Sequence, residues 1–76
     1  MSQAHPETIL RDEVERALNT YRLAAQSFME MFASLPPGLP TDETVKRIHA
    51  ATVERRVAVE RLAAAVQRLS DFIDLH

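Results

Sequence analysis

The 76-residue sequence has no cysteine, no tryptophan and a single glycine, Gly38. Without cysteine the chain forms no disulfide and no thiolate metal site, which fits a reducing cytoplasm better than a small secreted domain. One glycine excludes a glycine-rich loop that cradles phosphates. The first residues carry no basic segment followed by an apolar run, so we expect no secretory signal. The longest apolar run, residues 62–66, is too short to cross a bilayer. We expect a cytoplasmic protein that does not enter the membrane.

Residue types that carry chemistry are sparse as well. The three histidines, His5, His49 and His76, are far apart in the sequence, and neither a Glu-x-x-His nor a His-Glu-x-x-His motif occurs. The sequence offers no nucleophile with a base and an orienting group beside it. We therefore expect no catalytic residue, no cofactor and no metal, and do not expect an enzyme.

Charge is unevenly distributed along the chain. The net charge is −2, which argues against a protein that holds DNA or RNA through phosphate contacts, so we expect no direct nucleic-acid partner. Between residues 46 and 68, however, six basic residues stand against two acidic ones. This excess indicates attraction between complementary helices, a solvated face, or a protein partner that is acidic or of mixed charge.

Prolines divide the chain into two helices. Residues 35–40 contain three prolines and Gly38, a cluster that no helix continues through. Pro6 suits a first helical turn, and Thr41 or Asp42 can cap a second helix. The sequence predicts one all-α domain over residues 1–76, with helix 1 at about 6–35, a loop at 36–41 and helix 2 at about 42–75. The expected fold is a coiled-coil-like antiparallel hairpin that pairs into a four-helix bundle dimer.

The apolar positions of helix 1 follow an alternating four-three spacing, which is typical of a coiled-coil seam. The positions are Leu10, Val14, Ala17, Tyr21, Ala24, Phe28, Met31 and Leu35, with Leu18, Ala25 and Phe32 widening the stripe. Helix 2 gives Val45, Ile48, Thr52, Arg55, Val59, Leu62, Val66, Leu69 and Ile73, widened by Ala51, Ala58, Ala65 and Phe72. The predicted core of the hairpin or dimer consists of Leu10, Val14, Leu18, Tyr21, Phe28, Phe32, Leu35, Ile48, Val59, Leu62, Val66, Leu69 and Ile73.

Helix 2 has a second apolar side. Val53 and Val57 lie one helical turn apart, away from the seam, and are flanked by charged residues. Single exposed valines are ordinary on a protein surface, but an apolar centre with a charged rim also suits a partner. Arg55 interrupts the seam, where its stem can pack while its head reaches water, or where it can meet a carboxylate. The candidate partner-binding residues are Val53, Glu54, Arg56, Val57, Glu60 and Arg61.

Both helices resemble the TraM-type anti-activators, small helical proteins that restrain LuxR-family quorum-sensing activators of conjugative elements. The similarity in helix 1 lies in residues 17–36, ALNTYRLAAQSFMEMFASLP, at Ala17, Thr20, Arg22, Glu30, Phe32, Leu35 and Pro36, with Tyr21 where the family can carry histidine. In helix 2 it lies in Ala-Thr-Val-Glu at 51–54, in Leu62 and in the Phe72–Ile73 pair. The chain lacks the longer N-terminal arm of the plasmid type and looks more like the QseM-type anti-activators of integrative elements.

The resemblance implies a function that needs no active site. A protein of this type binds a TraR-like activator of the LuxR family near its DNA-binding region and keeps it off its promoters, which represses the transfer genes. Two other functions stay open, the second of them against the charge balance of the chain. One is a structural or co-chaperone hairpin, for example of a secretion apparatus, which would form a constitutive complex with one subunit. The other, a nucleic-acid-binding hairpin dimer, would release nucleic acid steeply with added salt.

Overall fold

The structure, a computed structural model, describes residues 5–75 and consists of two antiparallel helices. Helix α1 spans Pro6–Ala33 and helix α2 spans Asp42–Leu75. The antiparallel arrangement is fixed by contacts between distant residues: Arg68 meets Glu13, and His5 meets Phe72. The predicted all-α hairpin is therefore confirmed. Neither helix in the described part of the chain is long and apolar enough to span a membrane.

Helix α1 begins where the sequence places it. Pro6 occupies the first turn, where a missing N–H leaves no carbonyl unpaired. Before it stands His5, whose Nδ1 accepts a hydrogen bond from the Glu7 N–H at 3.1 Å and so satisfies one of the free donors of the first turn. The helix ends at Ala33, two residues earlier than the sequence suggested, because Pro36 disfavours helical backbone at the residue before it.

The connection between the helices is short and well capped. The Ser34 N–H donates to the carbonyls of Glu30 and Met31, at 3.1 and 3.2 Å, and closes the last turn of α1. Gly38 turns the chain with a φ of +105°, which only glycine adopts without strain. Helix α2 starts with Thr41 as its cap, because the Thr41 Oγ1 accepts a hydrogen bond from the Thr44 N–H at 3.2 Å.

Small side chains fill the contact between the helices. Ala24 of α1 and Ala58 and Ala65 of α2 are buried, and Thr44 is the buried polar residue. No large side chain among the described residues is fully buried. Alanines let two helices approach closely, but they bury little apolar area, and hydrophobic stabilisation grows with that area. The hairpin is therefore held by a narrow seam and lacks a filled core of its own.

The seam of α2 differs from the predicted one at every second position. The residues that face α1 are Thr44, Ile48, Ala51, Arg55, Ala58, Leu62, Ala65, Leu69 and Phe72, which again follow a four-three spacing. Val59, Val66 and Ile73 lie one residue further round the helix and are 44%, 48% and 47% exposed. Helix α2 thus has two adjacent rows with the same seven-residue spacing, one of alanines and one of valines. The helices pack on the alanine row, since alanine permits the closer approach.

The predicted core residues accordingly divide into two groups within one chain. Nine are half-buried between the helices: Leu10, Val14, Leu18, Tyr21, Phe28, Leu35, Ile48, Leu62 and Leu69. The other four are exposed: Phe32, Val59, Val66 and Ile73. No residue from 5 to 75 covers the exposed group, so its predicted role in a core requires a second molecule.

Candidate protein-interaction surfaces

The hairpin is flat, and one of its two broad sides is apolar. Its extents are 57 × 24 × 14 Å, so it is a single layer of two helices. A row of residues on this side of α2 recurs every seven residues, at Val45, Thr52, Val59, Val66 and Ile73, and is apolar at four of its five positions. We call this row the valine stripe. At 1.5 Å per residue it extends along about 42 Å of the helix and winds slowly around it.

Helix α1 continues the same apolar side. Tyr21 borders a shallow groove with Thr52 and Val59, which places it on the side of the valine stripe. Two turns further along, the Phe28 and Phe32 rings are in contact, with centroids 4.8 Å apart. Together the two helices form what we call the apolar face. It consists of Val14, Leu18, Tyr21, Ala25, Phe28 and Phe32 of α1 and Val45, Ile48, Thr52, Arg55, Val59, Leu62, Val66, Leu69 and Ile73 of α2.

Arg55 is the charged residue within the apolar face, and Arg56 lies at its edge beside Tyr21. Its guanidinium carbon lies 4.7 Å from the centroid of the Phe28 ring, in a cation–π arrangement. No carboxylate in the described part of the chain lies within ion-pair distance of it. This contact keeps the aliphatic part of Arg55 along the apolar face and its guanidinium beside Phe28. The cost of placing a charged residue in the apolar seam is thus partly offset within the chain.

The opposite side of the hairpin carries a groove of mixed charge. One stretch of it is bordered by Thr20, Ala24, Glu54, Val57, Ala58 and Arg61. The neighbouring stretch is bordered by Glu13, Arg16, Ala17, Thr20, Arg61, Ala64, Ala65 and Arg68. The two stretches share Thr20 and Arg61 and therefore form one continuous groove, which we call the mixed-charge groove. Its floor is built mainly of alanine, and three arginines stand along its rim.

One ion pair joins the two helices across this groove. The Arg68 Nε donates to the Glu13 Oε2 at 3.1 Å, and the Arg68 Nη2 lies 3.0 Å from the same oxygen. Both side chains are about half exposed, so solvent and salt screen the attraction. Arg16 and Arg61 line the same groove, and the ion pairs of the described residues include neither of them. The groove therefore retains positive charge that an acidic partner can meet.

The six predicted partner-binding residues are all exposed, and they point in three directions. Glu54, Val57 and Arg61 border the mixed-charge groove. Arg56 borders the opposite groove beside Tyr21. Val53 and Glu60 lie on the outer ridge of α2, away from α1, and Val53 is 39% exposed. Half of these residues thus border one groove, and the partner-binding role of all six stays a prediction.

Several residues of the groove were not among the sequence-based candidates. Arg16, Thr20 and Arg68 contribute to it, and Thr20 appeared only among the matching positions of helix 1. A signal for the α2 side was present, since Glu54, Arg61 and Arg68 are spaced by seven residues and flank the buried alanines. The groove residues of α1 could not be identified from the sequence, because that requires knowing which face of α1 packs on α2.

Metal-ligand clusters and hollows are the other features that could form a site. Within residues 5–75, no three histidine, aspartate or glutamate side chains come together as a potential metal site. A hollow at the open end of the hairpin is bordered by His5, Pro6, Glu7, Phe72 and Ile73. Its His5 ring stands edge-on to Phe72 with centroids 6.4 Å apart, and His5 already serves as the helix cap.

Comparisons of the chain with known protein families, with curated proteins and with solved structures found no match. The resemblance to the anti-activators therefore stays a prediction carried by the residues quoted for it. The apolar face and the mixed-charge groove are the features of the molecule from which a function can be argued.

Proposed function

We propose that this protein is a stoichiometric inhibitor that acts in the cytoplasm by binding a LuxR-family transcriptional activator and keeping it from its promoters. The identity of the target rests on the sequence resemblance. The mode of action is supported by the two extended surfaces of the hairpin, the apolar face and the mixed-charge groove. Such a protein works by covering part of another protein.

The observation that carries the proposal is the mixed-charge groove. The groove runs between the two antiparallel helices. Its floor of alanines leaves room for the side chains of a partner, and arginines line its rim. Grooves of this kind bind amphipathic helices, which lay their apolar residues on the floor and their charges along the edge. Charged rims steer association and set partner choice more than they raise affinity. We assign the target contact to this groove, with Arg61 at its centre.

Stoichiometric binding gives the inhibitor a threshold. Activator that is held by the inhibitor cannot occupy DNA, so target promoters respond only to the activator that exceeds it. Inhibition of this kind needs tight binding and no catalytic turnover. A small protein with extended binding surfaces can provide that. In this proposal repression of transfer genes follows from mass action alone.

The experiment mixes the protein with a signal-loaded LuxR-type activator from the same organism. Size-exclusion chromatography with light scattering measures the complex, and a promoter-shift assay measures DNA binding by the activator. We expect a stable complex that no longer shifts promoter DNA. The absence of a complex would contradict the proposal for that activator, and a constitutive complex with a secretion subunit instead would favour the co-chaperone alternative.

A pair of arginine variants tests the groove. Arg61→Glu reverses a charge at the centre of the mixed-charge groove, and Arg22→Glu makes the same change at an exposed residue of α1 that does not border the groove. We expect Arg61→Glu to weaken the complex by about tenfold or more, which corresponds to about 1.4 kcal/mol. Arg22→Glu should bind as the unmodified protein does. Equal effects of the two changes would show that overall charge, and not the groove, governs binding.

A further inference from the structure

The apolar face is exposed to an extent that the single chain does not explain. Val59, Val66 and Ile73 of the valine stripe are each close to half exposed, and so is Phe32 on α1, at 46%. These four side chains lie on the same side of the flat hairpin. Scattered exposed apolar residues are ordinary, whereas a large contiguous apolar patch marks an interaction surface.

The total surface area leads to the same conclusion. The chain exposes 6222 Å², whereas a compact monomer of 8.6 kDa exposes roughly 4,700 Å². Its radius of gyration is 17.4 Å, against about 11 Å for a compact domain of this length. The broad side measures 57 × 24 Å, a footprint well above the roughly 800 Å² per partner that a standard protein interface buries. The face is therefore large enough for a stable complex.

The length of the apolar face indicates its occupant. An average helix of a globular protein has about 11–12 residues and covers only about 17 Å. The valine stripe is more than twice as long, and an element that matches it over its whole length is a second copy of the same hairpin. The apolar faces of two copies have the same length. When one copy stacks on the other, the two hairpins form the two layers of a four-helix bundle.

We propose that two copies of this chain pair through their apolar faces and that the valine stripe lies in the core of the resulting dimer. The shared core supplies the large buried side chains that the single hairpin lacks. Arg55 enters this interface with its guanidinium already placed on the Phe28 ring, so its burial retains a favourable contact. The mixed-charge groove lies on the outer side of each hairpin and remains open. The inference does not depend on the proposed target.

A matched pair of double variants tests this arrangement. Val59→Glu with Val66→Glu places two carboxylates in the proposed interface. Val53→Glu with Val57→Glu makes the same chemical change on the same helix, at valines that are 39% and 40% exposed. Sedimentation equilibrium should give the unmodified protein a mass twice that of one chain. We expect the first variant to weaken self-association by about a hundredfold or more, because carboxylates are costly to bury without a partner, and the second to remain dimeric.

A second measurement covers the case in which the first variant fails to fold. The chain has no cysteine, so Val66→Cys and Val53→Cys each introduce one thiol in place of a valine of similar size. We expect alkylation at position 66 to slow as the protein concentration rises, while the rate at position 53 stays constant. A protein that remains a single 8.6 kDa chain at the highest concentration tested would overturn the proposal. Dissociation caused by the Val53 and Val57 variant alone would overturn it as well.

Discussion

Replacing Ala65 with leucine tests which stripe of α2 packs on α1. Ala65 is 2% exposed and lies beside Ala17 and Thr20 in the seam. Leucine adds three carbon atoms where the helices are closest, and overpacking of this kind costs about 1–3 kcal/mol. A domain of 76 residues has only about 4–11 kcal/mol of stability in total. Since 1 kcal/mol lowers the melting temperature of a domain of this size by about 4–8 °C, we expect a decrease of about 4–24 °C.

The assay is thermal unfolding followed by circular dichroism at a fixed protein concentration, because self-association makes the melting temperature depend on concentration. Ala63→Leu is the matched control, since Ala63 is exposed, lies two residues away and undergoes the same chemical change. We expect it to shift stability by no more than about 0.5 kcal/mol. If Ala65→Leu were as stable as the unmodified protein, or if Ala63→Leu were equally destabilised, the assignment of the alanine stripe to the seam would be refuted.

Two further predictions concern the connection between the helices. Thr41→Ala removes the oxygen that accepts the Thr44 N–H, and we expect a loss of about 1 kcal/mol in the free energy of unfolding, measured by urea titration. A loss below the error of that titration would show that the cap is dispensable. Gly38→Ala places a Cβ at a φ of +105° with no atom within 4 Å of it, so the expected loss of about 1–2 kcal/mol is purely conformational. An unchanged titration midpoint would indicate that the loop has another accessible conformation.

The sequence was sufficient to predict the order and type of the elements. Prolines and one glycine occur together at the turn, and the helices on both sides follow a seven-residue apolar repeat. It was also sufficient for the start of α1 at Pro6, and it limited the cap of α2 to Thr41 or Asp42, of which the structure uses Thr41. These features depend on neighbouring residues alone, so local rules identify them.

The orientation of α2 was not predictable to the same degree. Alanines at 51, 58 and 65 and the valine stripe one residue further on share the same repeat, and the difference between them is about 100° of rotation. Hydrophobicity favours the valines as the contact, whereas close approach of two helices favours the alanines. The packing of α1 decides between them, and no rule that considers α2 alone includes that contact.

The groove was harder still to anticipate, because it is composed of residues from both helices. Arg16 and Thr20 join Val57 and Arg61 only after the seam has been fixed. A search for a patch on one helix selected Val53 and Glu60 along with them, although these two lie on the outer ridge. Predicting a site formed between two helices requires their tertiary arrangement, whereas predicting a ridge on one helix requires only the periodicity of its sequence.

The choice of the alanine stripe as the seam has a consequence for both proposed interactions. Had α2 packed on α1 through its valines, the hairpin would have buried its largest apolar residues itself, and its remaining surface would have been mostly charged. Because the alanines take that place, Val59 and Val66 remain available to a second chain, while the small residues of the seam form the floor of the groove on the other side. One rotational preference of α2 thus leaves an apolar face for the proposed self-association and a mixed-charge groove for the proposed target. The two surfaces can be occupied at the same time, so a dimer of this chain would carry two equivalent grooves and bind its target in a two-to-two complex.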